Sequence, residues 1–410
     1  MTIITKKFEN GLRFGFRAVS SPVAYLALSV KVGTRDEHPS LNGIAHMTEH
    51  MLFKGTTTRS SVSINNYLES LGGELNAYTT KEETVIQATV LKEDISKAVE
   101  LLCDLAFNSV YPEKELEKEK EVILEEIKSY KDSPSELIFD DFEEELFGGH
   151  PLAGNILGTP KSIKRITSKD IREFTSLNYR PGNMSFSIVA DLPLEKCEKL
   201  VRKYFEHTDK LTNSADVPEV QPMPPCAGGT VKIISKRSYQ AHCVVGGRAY
   251  SFYDKRRLPL ALLTNILGGP ALNSKLNQVL REKHALAYTI DASYTPFTDT
   301  GVFSVYFGTD KSSLDKCISL VTKEFSLLKE KEISPGKLKA AKKQLLGQLA
   351  ISMDNAEAQC LNIGKSLLVF NKVEPIGELR RKIEEITAHE IFEAANDIFS
   401  EDNLITLIYK

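Results

Sequence analysis

One short segment, residues 43–53, carries side chains that could bind a metal ion. On a helix, His46 and His50 are four residues apart and lie on one face, so both imidazoles can reach the same ion. Glu49 lies at the edge of that face, placed to hold a proton beside the metal and not to bind it. This HxxEH order is the inverse of the HExxH order. The alternative is an amphipathic helix with two surface histidines.

A zinc site with two histidines needs a third protein ligand and an open position for water. A helix is predicted over residues 113–130, and two of its carboxylates, Glu119 and Glu126, fall on its apolar stripe. That stripe consists of Leu116, Ile123, Ile127 and Tyr130. A carboxylate on a buried face needs a partner, and a metal or a metal-bound histidine is sufficient. The periodicity does not choose between the two glutamates, and a salt bridge is the alternative role for either.

The elements that must position these residues belong to two halves of the 410-residue chain. Residues 207–230 are rich in proline and glycine and lack apolar periodicity, which is typical of a linker. Each half opens with β-rich segments, continues with helices and a Gly-Gly turn, and returns a late strand. We therefore predict two related α+β domains, residues 1–210 and 230–410, joined by a linker over residues 211–229.

Composition excludes several classes of protein. The formal net charge of −3 provides no basic surface for nucleic acid, and no apolar run approaches the ~18 residues of a membrane helix. The N-terminus lacks the apolar stretch of a secretory signal and the arginine-rich pattern of a mitochondrial presequence. The six scattered cysteines lack metal or disulfide spacing, so we interpret them as reduced packing residues. The sequence thus predicts a cytoplasmic protein with no nucleic-acid or membrane partner.

The HxxEH segment and residues 119–126 together resemble the pitrilysin/insulysin family of inverzincin metallopeptidases, and within it the short two-domain members related to mitochondrial processing peptidase. The resemblance extends along essentially the whole chain. In that family the third metal ligand follows the second histidine by 76 positions, which is Glu126 here (126 − 50 = 76). The resemblance also implies that Glu119 orients one of the histidines.

Two further segments resemble the substrate-binding parts of that family. Residues 72–79, GGELNAYT, resemble its GGxxNAxT edge strand, and residues 281–288, REKHALAY, resemble its REKRGLAY segment. The implied substrate-binding residues of the first segment are Asn76, Ala77, Tyr78, Thr79 and, after it, Glu82. The implied oxyanion-stabilising residues of the second are Arg281 and Tyr288. Without the resemblance, the first segment is an ordinary turn into a strand, Arg281 a surface charge and Tyr288 a core aromatic.

The resemblance implies a fold, a mechanism and an assembly. Each domain would be a mostly antiparallel sheet packed with helices, the two forming half of a clamshell that a second copy completes as a homodimer. One Zn²⁺ per chain would lower the pKa of a bound water to about 7, and Glu49 would take its proton and pass it to the leaving amine. The predicted function is a zinc endopeptidase acting on short or unfolded peptides. The alternatives are a catalytically silent scaffold or partner subunit, and a metal-binding module without hydrolysis.

Overall fold

The computed structural model describes residues 2–206, 208, 222–225 and 228–410. It divides into two compact units. The first holds the described residues within Met1–Lys128, Gly154–Gln221 and Ile351–Pro375, and the second those within Ser129–Ala153, Pro222–Ala350 and Ile376–Lys410. The predicted linker, 211–229, lies outside the described residues apart from 222–225 and 228–229.

The first unit contains a six-stranded sheet in the order β1-β2-β6-β3-β5-β4. Its strands are β1 (Ile3–Lys7), β2 (Arg13–Ala18), β3 (Val23–Val30), β4 (Glu74–Thr79), β5 (Thr84–Leu91) and β6 (Met184–Ala190). All neighbours are antiparallel except β2 and β6, which are parallel. Every residue of β6 is buried, as expected for a strand covered on both faces. β4 is an edge strand.

The second unit contains a five-stranded sheet in the order β7-β11-β8-β10-β9. Its strands are β7 (Val231–Ile234), β8 (Ala241–Ala249), β9 (Ala287–Pro296), β10 (Gly301–Thr309) and β11 (Ile405–Tyr409). Here too all neighbours are antiparallel except one pair, β7 and β11. This order and these directions repeat β2-β6-β3-β5-β4 of the first sheet. The prediction of two related α+β domains with mostly antiparallel sheets is confirmed.

Helices connect and cover these strands. Those of the first half are α1 (Ile44–Leu52), α2 (Ser61–Glu69), α3 (Ile95–Asn108), α4 (Glu113–Lys131), α5 (Pro134–Phe147), α6 (Pro160–Arg165), α7 (Ser168–Asn178) and α8 (Leu194–Phe205). Those of the second half are α9 (Arg257–Gly268), the π-helical segment Asn277–Lys283, α10 (Leu314–Glu330), α11 (Pro335–Ser352), α12 (Ala356–Phe370), α13 (Ile376–Glu385) and α14 (Ala388–Ile398). Within the described ranges, none of these helices is long and apolar enough to cross a membrane.

Each unit contains one helix from the opposite half of the chain. α12 packs on β2, β3 and β6 in the first unit, and α5 packs on β8 and β11 in the second. Small residues let α12 approach its sheet closely: a Cβ built on Gly15 would lie 2.3 Å from Cγ2 of Ile363. The hydroxyl groups of Ser185 and Ser187 donate to carbonyls of α12 at 2.8 Å, so these buried polar groups are satisfied. α1 and α3 contribute to the apolar core that includes the inward side chains of the first sheet.

Candidate metal centre

The helix that carries both histidines, α1, begins at a glycine and is held by a carboxylate from outside the helix. Gly43 precedes α1 in the left-handed region, with φ 93°, and supplies no side-chain cap. The buried carboxylate of Glu37 accepts hydrogen bonds from the N–H groups of Gly43 and Ala45, each at 2.8 Å. Burial raises the pKa of Glu37 to about 7, and these hydrogen bonds oppose that rise. Glu37 thus satisfies two of the free N–H groups at the start of α1.

His46 and His50 lie side by side on the accessible face of α1, as their spacing predicts. Their ring centroids are 4.6 Å apart. On the opposite face, Met47 and Met51 are fully buried in the first apolar core. Packing of Met47 and Met51 in the core therefore fixes the rotation of α1 about its axis and turns His46 and His50 away from the core.

Two of the glutamates of α4, Glu119 and Glu126, face different nitrogens of His50. An oxygen of Glu119 lies 3.0 Å from Nδ1 of His50, and its other oxygen lies 2.7 Å from Nζ of Lys54. An oxygen of Glu126 lies 3.8 Å from Nε2 of His50. Both oxygens of Glu119 therefore have partners, His50 and Lys54, whereas Glu126 faces Nε2, the ring nitrogen of His50 that Glu119 does not contact. The geometry separates the two residues that periodicity alone did not.

His46, His50 and Glu126 form a group whose ligand atoms all lie within 4.8 Å of one another. Oε2 of Glu126 and Nδ1 of His46 are buried and have no hydrogen-bond partner among the described residues. Burial, and then the neighbouring His50, lower the pKa of His46 to about 4, so its imidazole is neutral and able to bind a cation. Two imidazoles and a carboxylate are a typical catalytic zinc set. The residues present therefore fit a zinc ion.

Glu49 lies next to this group but outside it. The hydroxyl of Thr79 donates to Oε2 of Glu49 at 2.6 Å. Burial raises the pKa of Glu49 above its ordinary value and Glu126 adds to the rise, whereas the bond from Thr79 and the charge of His50 oppose it. A half-buried carboxylate beside a metal set, and not part of it, is suited to exchanging protons with a reacting group.

The predicted substrate strand is the edge strand β4. Its inner edge pairs with β5, and along its outer edge it has no neighbouring strand in the described part of the sheet. Asn76, Ala77, Tyr78 and Thr79 all lie on β4. Glu82 lies in the turn after it, where its carboxylate pairs with Arg35 at 2.6 Å. The unpaired backbone of β4 could accept an extended peptide as an added strand.

Arg281 and Tyr288 lie near each other in the second unit. Arg281 belongs to the π-helical segment and Tyr288 to β9, one of the two edge strands of the second sheet. The guanidinium carbon lies 5.9 Å from the centroid of the Tyr288 ring, and Tyr288 is 82% exposed. Tyr288 is therefore a surface residue, not the core aromatic that the residue type alone suggests.

Two residues that the sequence analysis passed over or used differently support α1. Glu37 caps the helix, and Thr79, predicted only as a substrate-binding residue, bonds Glu49. The local signal for Glu37 is weak: the N-cap residue, Gly43, has no side chain to accept from the first N–H groups of α1, which leaves them open to an acceptor from another residue. The Thr79 contact has no local signal because the two residues are 30 positions apart.

The chain matches two family descriptions along most of its length. Residues 17–160 match "Insulinase (Peptidase family M16)" and residues 165–345 match "Peptidase M16 inactive domain". Uncharacterized zinc proteases of Streptomyces coelicolor and Bacillus subtilis are each 31% identical to it, over 99% and 98% of this chain and 89% and 96% of the relatives. The chain belongs to the M16 peptidase family, which confirms the resemblance seen in its motifs.

Solved structures agree on the fold. A protease from Helicobacter pylori superimposes with a TM-score of 0.92 at 23% identity, covering 100% of this chain and 99% of that one. A structure described as the peptidase M16 inactive domain from Pseudomonas fluorescens gives 0.91 at 21% identity, with 100% and 98% covered. At these identities the likeness concerns the fold, which is the two-domain architecture described above.

Proposed function

We propose that this protein is a zinc-dependent endopeptidase that hydrolyses peptide bonds in short or unfolded peptides. The observation that carries the proposal is the arrangement around His50: Glu126 faces one ring nitrogen, Glu119 holds the other, and Glu49 stands beside the group with its own hydrogen bond. A structural metal site would have no need for a raised-pKa carboxylate next to its ligands.

One zinc ion per chain is proposed, held by His46, His50 and Glu126. When bound, zinc supplies Lewis-acid chemistry that makes a water acidic near neutral pH. Glu119 keeps the His50 ring in one orientation through Nδ1, so that Nε2 points toward Glu126. Nζ of Lys54 lies 2.7 Å from the other oxygen of Glu119, so this buried carboxylate has a cation as a second partner.

Glu49 is the proposed general base and then the general acid. It would accept the proton of the attacking water and donate it to the leaving amine. The edge strand β4 would hold the peptide next to Glu49 through main-chain hydrogen bonds, which select an extended shape more than a particular side chain. This mode of binding is consistent with unfolded or short peptides as substrates.

A digest of unfolded peptides, read by mass spectrometry with and without a chelator, tests this function. We expect cleavage that is lost with the chelator and restored by added zinc. Glu49→Gln should retain zinc and lose cleavage, because it removes the proton acceptor and leaves the ligands in place. Wild-type protein that binds zinc and leaves all peptides intact would instead indicate a catalytically silent subunit.

The proposed function also requires two chains. We propose a homodimer in which Arg281 and Tyr288 of one copy donate to the scissile carbonyl bound at the zinc centre of the other. The exposure of both side chains supports this, since Tyr288 is 82% exposed and the Arg281 side chain 40%. Neither side chain is buried within its own unit, so a substrate or second copy can reach both.

Complementation between two inactive variants tests the shared site. Glu49→Gln and Arg281→Ala, co-expressed with different tags and purified as the mixed dimer, should regain cleavage. In a two-fold dimer one of the two sites then has every wild-type residue, so about half of the wild-type activity is expected for the mixed dimer. Sites built within single chains would remain inactive in this mixture. Light scattering at the assay concentration should give the mass of two chains.

A further inference from the structure

Thr79 occupies a special position, because it ends the strand proposed to bind the peptide and also contacts the proposed base. Its hydroxyl donates to Oε2 of Glu49 at 2.6 Å. Successive side chains of a strand point to opposite faces of the sheet. Leu75 and Ala77 of β4 pack against the apolar core that includes α1, whereas Tyr78 packs with the cluster on the other face. Thr79 shares the face of Leu75 and Ala77, so its side chain points toward α1.

The side chain and the main chain of Thr79 thus have different roles. The hydroxyl is engaged with Glu49, while the backbone lies on the unpaired edge of the sheet. A hydrogen bond to an ionised carboxylate is stronger and more directional than one between neutral groups. It fixes one oxygen of Glu49 and leaves the second to meet a proton.

We propose that Thr79 is a positioning residue whose hydroxyl holds the Glu49 carboxylate in its working orientation, so that the peptide-binding strand also aligns the base. This inference rests on the proposed peptidase function. It gives Thr79 a role beyond substrate contact, and it ties the position of the base to the end of the strand on which the peptide lies.

The next residue provides a matched control. Thr80 is also half-buried, and its hydroxyl bonds only main-chain groups of the turn between β4 and β5. It donates to the carbonyl of Glu83 at 3.1 Å and accepts from the N–H groups of Glu82 and Glu83 at 3.4 and 3.1 Å. Thr79→Val and Thr80→Val thus each remove one threonine hydroxyl from neighbouring positions, with the same change in shape. Only the first removes a bond to Glu49.

Steady-state kinetics on an unfolded peptide separate the roles. We expect Thr79→Val to lower kcat by about 10-fold or more, the loss typical of one hydrogen bond to a charged group. KM and the zinc dissociation constant should stay close to wild type, because the ligands and the main-chain edge are unchanged. Thr79→Ser, which keeps the hydroxyl, should recover most of kcat, and Thr80→Val should retain it. An unchanged kcat in Thr79→Val, or a loss that Thr79→Ser fails to rescue, overturns the positioning role.

A second readout does not use activity. Urea unfolding of the zinc-free protein in a double-mutant cycle measures the coupling of Thr79→Val with Glu49→Ala. We expect Thr79→Val to lower the unfolding midpoint less when Glu49 is already absent; additive effects would contradict the contact. An inactive wild type would defeat the proposed function itself, whereas an active wild type with an equally active Thr79→Val defeats this inference alone.

Discussion

The two halves of this protein share one strand order but differ in the helices that follow corresponding strands. α1 follows β3 and carries His46, Glu49 and His50, while α9 follows β8 and contains no histidine, aspartate or glutamate. α4 carries seven glutamates, and α11, the second helix after the last hairpin strand of its own half, carries none. The same framework therefore carries the candidate metal ligands on two helices of the first half, and no histidine, aspartate or glutamate on the two corresponding helices of the second.

The burial of α1 and α9 shows why the same framework accepts a helix with histidines in one half and a helix without them in the other. In α9, Leu260, Leu262, Leu263 and Leu267 are fully buried, so that helix serves packing. In α1, Met47, Met51 and Leu52 are buried in the core of the first unit, and His46 and His50 lie on the more accessible face. Packing constrains one face of each helix, and the chemistry depends on what the other face carries. This agrees with the family descriptions, which name an insulinase domain and an inactive domain.

The largest effect is expected where the two halves differ most, at the third ligand. Glu126→Gln should weaken zinc binding by more than about 1,000-fold, because the amide lacks the charge that holds a divalent cation. Isothermal titration with zinc measures this directly. Glu125→Gln is the matched control, since Glu125 is the preceding residue and its side chain is 71% exposed and paired with Lys128. Equal affinities for the two variants would show that Glu126 is not a ligand.

Glu119→Gln is expected to have an intermediate effect. The amide can still contact Nδ1 of His50, but it loses the charge that it shares with Lys54. Loss of such supporting contacts typically costs about 10–100-fold in metal affinity or activity. Zinc titration and cleavage rates should therefore place this variant between wild type and Glu126→Gln. A loss as large as that of Glu126→Gln would make Glu119 a ligand.

The smallest expected effect concerns pH and the two helix starts. Burial raises the pKa of Glu37, before α1, to about 7, whereas the hydrogen bond from Arg256 lowers the pKa of Asp254, before α9. A raised carboxyl pKa means that the folded state binds the proton more tightly. The stability contributed by Glu37 is thus present at low pH and lost as pH rises from about 4.5 to 7. Asp254 behaves oppositely, stabilising above its unfolded pKa and losing that contribution as pH falls.

Urea unfolding of the zinc-free protein between pH 3 and 8 tests this opposition. The free energy of unfolding of wild type minus that of Glu37→Gln should fall by about 1–3 kcal/mol as pH rises from about 4.5 to 7. For Asp254→Asn the same difference should rise with pH and stay below about 1 kcal/mol, because this pair is solvent-screened. Parallel pH profiles for the two variants would contradict the burial of Glu37 as the cause.

Part of the site was predictable because it is local. His46 and His50 are about one helical turn apart, so any helix there brings them together. Glu49, which lies between them in the sequence, falls at the edge of the same face. The sequence predicted that the two halves have similar elements, but it did not predict the order of the strands within each sheet. The exchange of α5 and α12 between the units was not predictable either, because an amphipathic helix has the same pattern whichever sheet it covers.

By itself, the amino-acid sequence determined which residues could do chemistry: the HxxEH spacing, two glutamates on one stripe of α4, and an edge-strand motif. The tertiary structure decided how they are used. It placed Glu126 at the open nitrogen of His50 and Glu119 at the other, set Glu37 under the start of α1, and turned Thr79 toward Glu49. These contacts join residues 6 to 76 positions apart. Periodicity specifies only which face of an element a side chain occupies, and the packing of elements specifies what that face meets.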